Sequence, residues 1–272
     1  PTTAYAILSG LVGSEMCIRD SYRLEEHIDR LFRSLRYVRI DPGMTPQEMI
    51  SATEALLEAN RERLTPNSMY RVGHWITRGV DSESMAALAA GPATVMMFFR
   101  SVDTAAIARN HAQGVNLSVT TTRRNPPACV ETRAKVTSKM NQILAELDAA
   151  ARGALSLMLD LDGNVAENAV ANIFIARDGV LWTPPERNIL EGVTRKVVFE
   201  LCERLGIPLE ERLFTQYDLV QADEYFITSS AICATPVASI DGFTPTHPVP
   251  GPITTQLIEA FAVDTGYDFR DQ

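Results

Sequence analysis

The 272 residues carry a formal net charge of −9, with 46% hydrophobic and 22% charged residues, an ordinary globular balance for one large domain or two modest ones. The negative excess excludes a general nucleic-acid or membrane-surface binder, since both polyanions repel it, and no apolar run approaches the length of a membrane span. Cys17, Cys129, Cys202 and Cys233 are dispersed without CxxC spacing, and no two of the histidines at 27, 74, 111 and 247 fall at i, i+4. That pattern fits reduced thiols in a cytoplasmic protein and gives no metal site.

Residues 4–12 have the apolarity of a signal-peptide core, but no basic residue precedes them. Leu11-Val12-Gly13-Ser14-Glu15-Met16-Cys17-Ile18-Arg19-Asp20-Ser21 resembles the translated adapter read-through found at the ends of metagenomic protein predictions. Residues 1–21 are therefore set aside as a non-native leader, and the native sequence is expected to begin near Tyr22, with its own first strands cut away.

From there, Leu24, Ile28, Leu31, Phe32 and Leu35 recur at helical spacing, with Glu25, Glu26, Asp29, Arg30 and Arg33 on the other faces. Thr45-Pro46-Gln47-Glu48 is a capping box that opens a second helix to about Asn60. Met69–Ile76 and Val95–Phe99 read as strands. These elements place a small α+β domain at 22–102, a connection at 103–113 and a larger domain at 114–272.

The larger domain starts with a strand at Val115–Thr120 and a rigid Asn125-Pro126-Pro127 loop. Val136, Met140, Ile143, Leu144 and Leu147 mark an amphipathic helix of about four turns. Leu155–Asp160 reads as a buried strand. Ala171–Arg177 and Val180–Thr183 flank Asp178-Gly179, a hairpin signal because both turn positions tolerate positive φ. Thr194–Leu205 predicts a helix stopped by Gly206 and Pro208, and Tyr225–Thr228 and Val237–Ile240 predict further strands.

Three features carry chemistry. Lys135 is one of only three lysines, beside Lys139 and Lys196, and lies among the small residues of Ala134-Lys135-Val136-Thr137-Ser138. A lysine there is ordinarily a solvated charge; in a desolvated pocket it becomes a neutral nucleophile. Glu167 sits in a turn that runs into an apolar strand, where the ordinary reading is turn chemistry and the functional one is a carboxylate for a ring nitrogen. Gly192-Val193-Thr194 caps a helix and presents backbone N–H groups to an anion, with Thr228-Ser229-Ser230-Ala231 at a strand end as a second donor set. Arg30 is a surface cation unless it serves the same anion. An amine, a carboxylate and a helix N-terminus match the needs of pyridoxal 5′-phosphate at its aldehyde carbon, ring nitrogen and phosphate.

On these residues the chain resembles the class IV (fold type IV) pyridoxal-phosphate-dependent aminotransferases, most of all their branched-chain amino acid branch. The motifs are Glu25-Glu26-His27-Ile28-Asp29-Arg30-Leu31, the Lys135 segment, Ala166 to Ile175, Thr183-Pro184-Pro185 followed by Ile189 to Arg195, and Ile227 to Val237, in that order over about residues 22–265. The resemblance implies an α+β, D-amino acid aminotransferase-like fold of two domains with the cofactor between them, assembled as a homodimer. It implies Lys135 as the residue that binds the cofactor covalently and moves the substrate α-proton, and Glu167 as the partner of the pyridine nitrogen. Arg30, Val193, Thr194 and Ser230 would hold the phosphate, with Ser230 and Ala231 beside the substrate carboxylate.

Three positions depart from the family pattern. Met140 stands where many members place a tyrosine, and Glu191 replaces a proline. Thr77-Arg78-Gly79 is not followed by the Arg and His that hold D-amino acids. The reaction expected is transamination between an L-amino acid with an apolar, branched side chain and 2-oxoglutarate or L-glutamate. The alternatives are a lyase of the same family, acting like the enzyme that releases 4-aminobenzoate from aminodeoxychorismate, and a truncated fragment that turns nothing over.

Overall fold

A computed structural model describes residues 12–18, 22–64, 69–79, 92–230, 232–268 and 270. The chain divides into two compact units, 1–102 with 134–139, and 103–133 with 140–272.

In the first unit, β1 (Val12–Ile18), α1 (Leu24–Val38), α2 (Pro46–Glu58), β2 (Tyr70–Thr77) and β3 (Thr94–Ser101) follow in order, and the strands form an antiparallel sheet β1-β2-β3. The apolar row expected on α1 buries Leu24, Ile28, Leu31 and Leu35 against Met49 of α2 and Val72 and Ile76 of β2. The capping box at Thr45 is formed in both directions. Arg39 ends α1 in the left-handed conformation at φ 56, and the Arg78 guanidinium donates to the terminal carbonyls of Val38 and Arg39 at 2.7 and 3.1 Å, where a cation also meets the helix dipole. Gly73 is required by its cross-strand neighbour, because a Cβ there would lie 2.4 Å from the Phe98 ring.

Residues 12–18, set aside on sequence grounds, do take part in the fold, pairing along β2 from Val12↔Ile76 to Ile18↔Tyr70. A β-ladder is made by backbone groups, so a strand edge accepts a segment with little regard to its side chains. The rest of the leader, like residues 80–91 after Thr77-Arg78-Gly79, lies outside the described residues.

The second unit contains α3 (Thr104–Gln113), β4 (Val115–Val119), α4 (Met140–Ala150), β5 (Leu155–Leu157), β6 (Asn172–Arg177), β7 (Val180–Thr183), α5 (Val193–Leu205), β8 (Leu209–Glu211), α6 (Gln216–Val220), β9 (Glu224–Ser229), β10 (Ile232–Ile240) and α7 (Pro252–Thr265). Its seven strands form one mixed sheet, ordered β5-β4-β10-β9-β6-β7-β8. The β6–β7 turn is as expected, with Asp178 at φ 53 and Gly179 at φ 77. Segment 103–113, read as a connection, is a helix of this unit: the Asp103 side chain accepts the Ala106 N–H at 2.9 Å, and alanine-rich sequence favours the helix behind it.

Helix α4 begins later than the sequence reading has it, at Met140, five residues after Lys135, and it buries Ala145 and Ala149. The apolar stripe marked in the sequence lies outside, with Met140 66%, Ile143 50%, Leu144 50% and Leu147 64% exposed. Periodicity identifies a coherent face but not what covers it.

At α7 the buried Glu224 carboxylate accepts the N–H groups of Ile253 and Thr254 and the Thr254 hydroxyl, at 3.0, 2.9 and 2.8 Å. This is possible because residue 251 is glycine: a Cβ there would stand 2.2 Å from Glu224 Cδ. Gly251→Ala should therefore displace the cap and cost about 2 kcal/mol of unfolding free energy, read as a lowered urea midpoint. An unchanged midpoint would show that the cap contributes nothing.

Candidate active site

In the first unit, α1 carries a second buried row beside its leucines: His27, Arg30 and Ser34, each 3% exposed or less. The sequence reading placed Arg30 on the polar, solvated side of the helix, but it is buried. Spacing i, i+3, i+7 puts all three on one strip, next to the apolar one. Ser34 links this strip to the lysine segment. Its Oγ accepts the Lys135 backbone N–H at 3.0 Å and donates to the Arg30 carbonyl at 2.9 Å, and Val136 packs on the same core.

His27 completes the strip, its Nδ1 lying 3.4 Å from Arg30 Nη2. A guanidinium only donates, so Nδ1 accepts and the imidazole is neutral with its proton on Nε2. Burial above all, and then the charges of Arg30, Lys135 and His74, hold the His27 pKa well below its ordinary value.

In the second unit, Glu167 sits where the chain leaves a bridge to Asn172 and enters β6. Its backbone pairs with Met158 on the other side, accepting the Met158 N–H at 3.0 Å. The buried carboxylate accepts Arg124 Nε–H at 2.8 Å on Oε1, and on Oε2 the Leu190 N–H at 2.9 Å and Asn172 Nδ2 at 3.2 Å. Asn168, the next residue, donates to the Ser156 carbonyl and accepts the Val170 N–H, which fixes the turn.

Asn172 also donates to the Leu190 carbonyl at 3.0 Å, and its Oδ1 is packed so closely on Gly192 that a Cβ there would come within 2.2 Å. Gly192 caps α5, which starts at Val193 with no side chain capping its first turn; the N–H groups of Val193 and Thr194 therefore remain a positive helix end for an anion. Asn172 pairs with Thr228 across the β6–β9 ladder, so the two side chains share a face. Among the described residues, the buried Thr228 hydroxyl has no hydrogen-bond partner. Ser230 is half-buried just beyond β9, and Ala231 lies outside the described residues.

In the first unit the Lys135 and Arg30 backbones meet at Ser34, and in the second Asn172 connects Glu167 to the start of α5, while Ser230 stands at the end of β9. Sequence reasoning gives no role to His27, Ser34, Arg124 and Asn172, although His27 and Asn172 lie inside motifs that carry the resemblance; Thr228 enters it only as one member of the donor set at its strand end.

A family model described as amino-transferase class IV matches residues 18–240. A putative branched-chain-amino-acid aminotransferase of Methanocaldococcus jannaschii is 34% identical over 242 residues, 88% of this chain and 81% of that protein. A D-alanine aminotransferase of Listeria monocytogenes is 32% identical over 244 residues, with the same shares covered. The structure resembles that of a branched-chain amino acid aminotransferase from Thermobaculum terrenum in its PLP form, with a TM-score of 0.83 at 28% identity over 98% of this chain and 89% of that one.

The buried neutral His27 has a measurable consequence. Its folded-state pKa lies below the ordinary 6.5, so the unfolded chain binds the extra proton first. The contribution is complete above that value and is lost as pH falls below it, with a limiting slope of about 1.4 kcal/mol per pH unit. The unfolding free energy of the His27→Asn variant, measured in urea from pH 7 to 4.5, should fall less steeply than that of the parent. Parallel curves would show that His27 is protonated equally in both states.

Proposed function

The chain belongs to the class IV aminotransferases, enzymes that depend on pyridoxal 5′-phosphate, and from that premise we propose that it exchanges amino groups between an L-amino acid with an apolar, branched side chain and 2-oxoglutarate or L-glutamate. The observation that carries the residue assignment is the Ser34 bridge, which fixes Lys135 and Arg30 to each other through one hydroxyl. These residues are assigned to the two ends of the cofactor that a protein must hold, the aldehyde carbon and the phosphate. The printed names of the relatives support the branched-chain donor.

The residues fit the cofactor. The uncapped end of α5, the bare Gly192 and the unpartnered Thr228 hydroxyl suit a phosphate, and a buried carboxylate that is already charge-paired suits a protonated ring nitrogen. When bound, pyridoxal phosphate supplies the sink for electrons released at the substrate's α-carbon. Lys135 would hold the cofactor covalently through Nζ, and its amine, once freed, would be the base that takes the substrate's α-proton and the acid that gives it back. Glu167 keeps the ring nitrogen protonated. Arg30 and Ser230, with the backbone N–H groups of Val193 and Thr194, bind the phosphate, and Ser230 and Ala231 receive the substrate carboxylate.

Two further parts of the reading concern the protein as a whole. The exposed row Met140, Ile143, Leu144 and Leu147 on α4 is apolar surface of the kind that covers itself in a second copy, which supports a homodimer. The free thiols of Cys129, Cys202 and Cys233 support a reducing cytoplasm.

Protein loaded with pyridoxal phosphate and given L-leucine should form L-glutamate only when 2-oxoglutarate is present. Preference for D-alanine would overturn the L-branched-chain assignment, and more than one turnover per bound cofactor without the oxo acid would overturn transamination. Borohydride should fix the cofactor to the parent chain and not to Lys135→Ala; retained label would move the role to another lysine. Leu147→Glu, which puts a charge in the α4 row, should shift the sedimenting species from dimer to monomer, and an unshifted dimer would place the interface elsewhere.

A further inference from the structure

Arg124 has no role in the assignments above, yet the fold aims it with care. Its guanidinium meets Glu167 through Nε at 2.8 Å, and both side chains are only 7% exposed. Its backbone is held at three points. The Arg124 N–H donates to the Leu159 carbonyl at 2.8 Å. On either side, one residue of α4, Asn141, accepts the Asn125 N–H at 3.1 Å and donates to the Arg123 carbonyl at 2.7 Å. A loop arginine that merely neutralises a charge needs no such clamp.

We propose that Arg124 is a positioning residue for the cofactor: it holds the Glu167 carboxylate ionised and in one orientation, so that this carboxylate can keep the pyridine nitrogen protonated. This inference rests on the assignment of Glu167 to that nitrogen. A carboxylate has room for about four hydrogen bonds, and Arg124, Asn172 and the Leu190 N–H supply three of them. Only Arg124 among these three is charged. A buried carboxylate that loses its cation takes up a proton, and a neutral carboxyl group stabilises a pyridinium far less. The two amide donors would keep the side chain in place but not its charge.

Arg124 also borders a cavity of about 540 Å³ with Pro126, Pro127, Glu131, Asp160 and Asn188, so a smaller side chain there adjoins existing space. Arg124→Met should raise the dissociation constant of pyridoxal phosphate about ten-fold or more and alter the visible absorbance of the bound cofactor. Arg124→Lys keeps the cation and loses the planar fork, and should restore most of the affinity. In Arg124→Met/Glu167→Gln the dissociation constant should match that of Glu167→Gln alone within about two-fold, since one effect runs through the other.

Additive losses in the double variant would overturn the inference while leaving the Glu167 assignment intact. So would an Arg124→Met protein whose cofactor-free form has a lower urea midpoint while affinity and spectrum are unchanged, since the pair would then be structural only. If Glu167→Gln alone leaves affinity and spectrum unchanged, the ring-nitrogen assignment itself fails, and this inference with it.

Discussion

The Glu167 carboxylate ties together three segments that are distant in sequence: the loop at Arg124, the start of β6 at Asn172 and the turn at Leu190. Placing a carboxylate out of water is costly unless every nearby donor is used. The cost is offset in part because two of these donors are held in place: Arg124 by its N–H on the Leu159 carbonyl, with Asn141 binding its neighbours Arg123 and Asn125, and Asn172 by the Leu190 carbonyl. The same Asn172 abuts Gly192 and so fixes the entry to α5. The N-terminus of α5 is therefore tied to the carboxylate through a single shared amide.

Other carboxylates of the second unit work in the same way. Glu224 caps α7, and Asp160 accepts the N–H groups of Asp162 and Asn164 together with the side-chain amides of Asn164 and Asn188. Asp223 takes the Asp178 N–H and the Thr246 hydroxyl. In each case an acidic side chain satisfies loop backbone that the sheet leaves unpaired. This is a use for the chain's acidic residues that does not involve any partner and adds no apolar bulk.

How far the sequence could be read follows from the range of these interactions. Elements set by local rules were legible: the Thr45 capping box, the Asp178-Gly179 hairpin, the leucine row of α1 and the glycine stop after α5 depend on neighbours within a few residues. Lys135, Glu167 and the Gly192 turn stood out because each residue type is rare or special at its place in the chain. What stayed hidden was set from far away. Arg124 finds Glu167 across 43 residues and Ser34 finds Lys135 across 101, and no spacing within a helix or strand encodes either pair. The errors share that origin. Arg30 reads as a solvated cation because its charge outweighs its position on the helix, and the helix after Lys135 reads as starting too early because a periodic pattern does not fix its ends.

The α1 helix shows how function and stability divide one element between them. Its apolar row supplies the packing against α2 and β2, and the adjacent row of His27, Arg30 and Ser34 is buried at a cost that packing must outweigh. A helix built for stability alone would continue its leucines around that face. The polar row is retained because it does what leucine cannot: Ser34 fixes the Lys135 backbone, and a neutral His27 accepts from Arg30 without adding a second charge beside it. The low pKa of His27 is then a consequence of the arrangement and also a condition for it, since a protonated ring would have no lone pair at Nδ1 to offer and would repel the guanidinium it now accepts from.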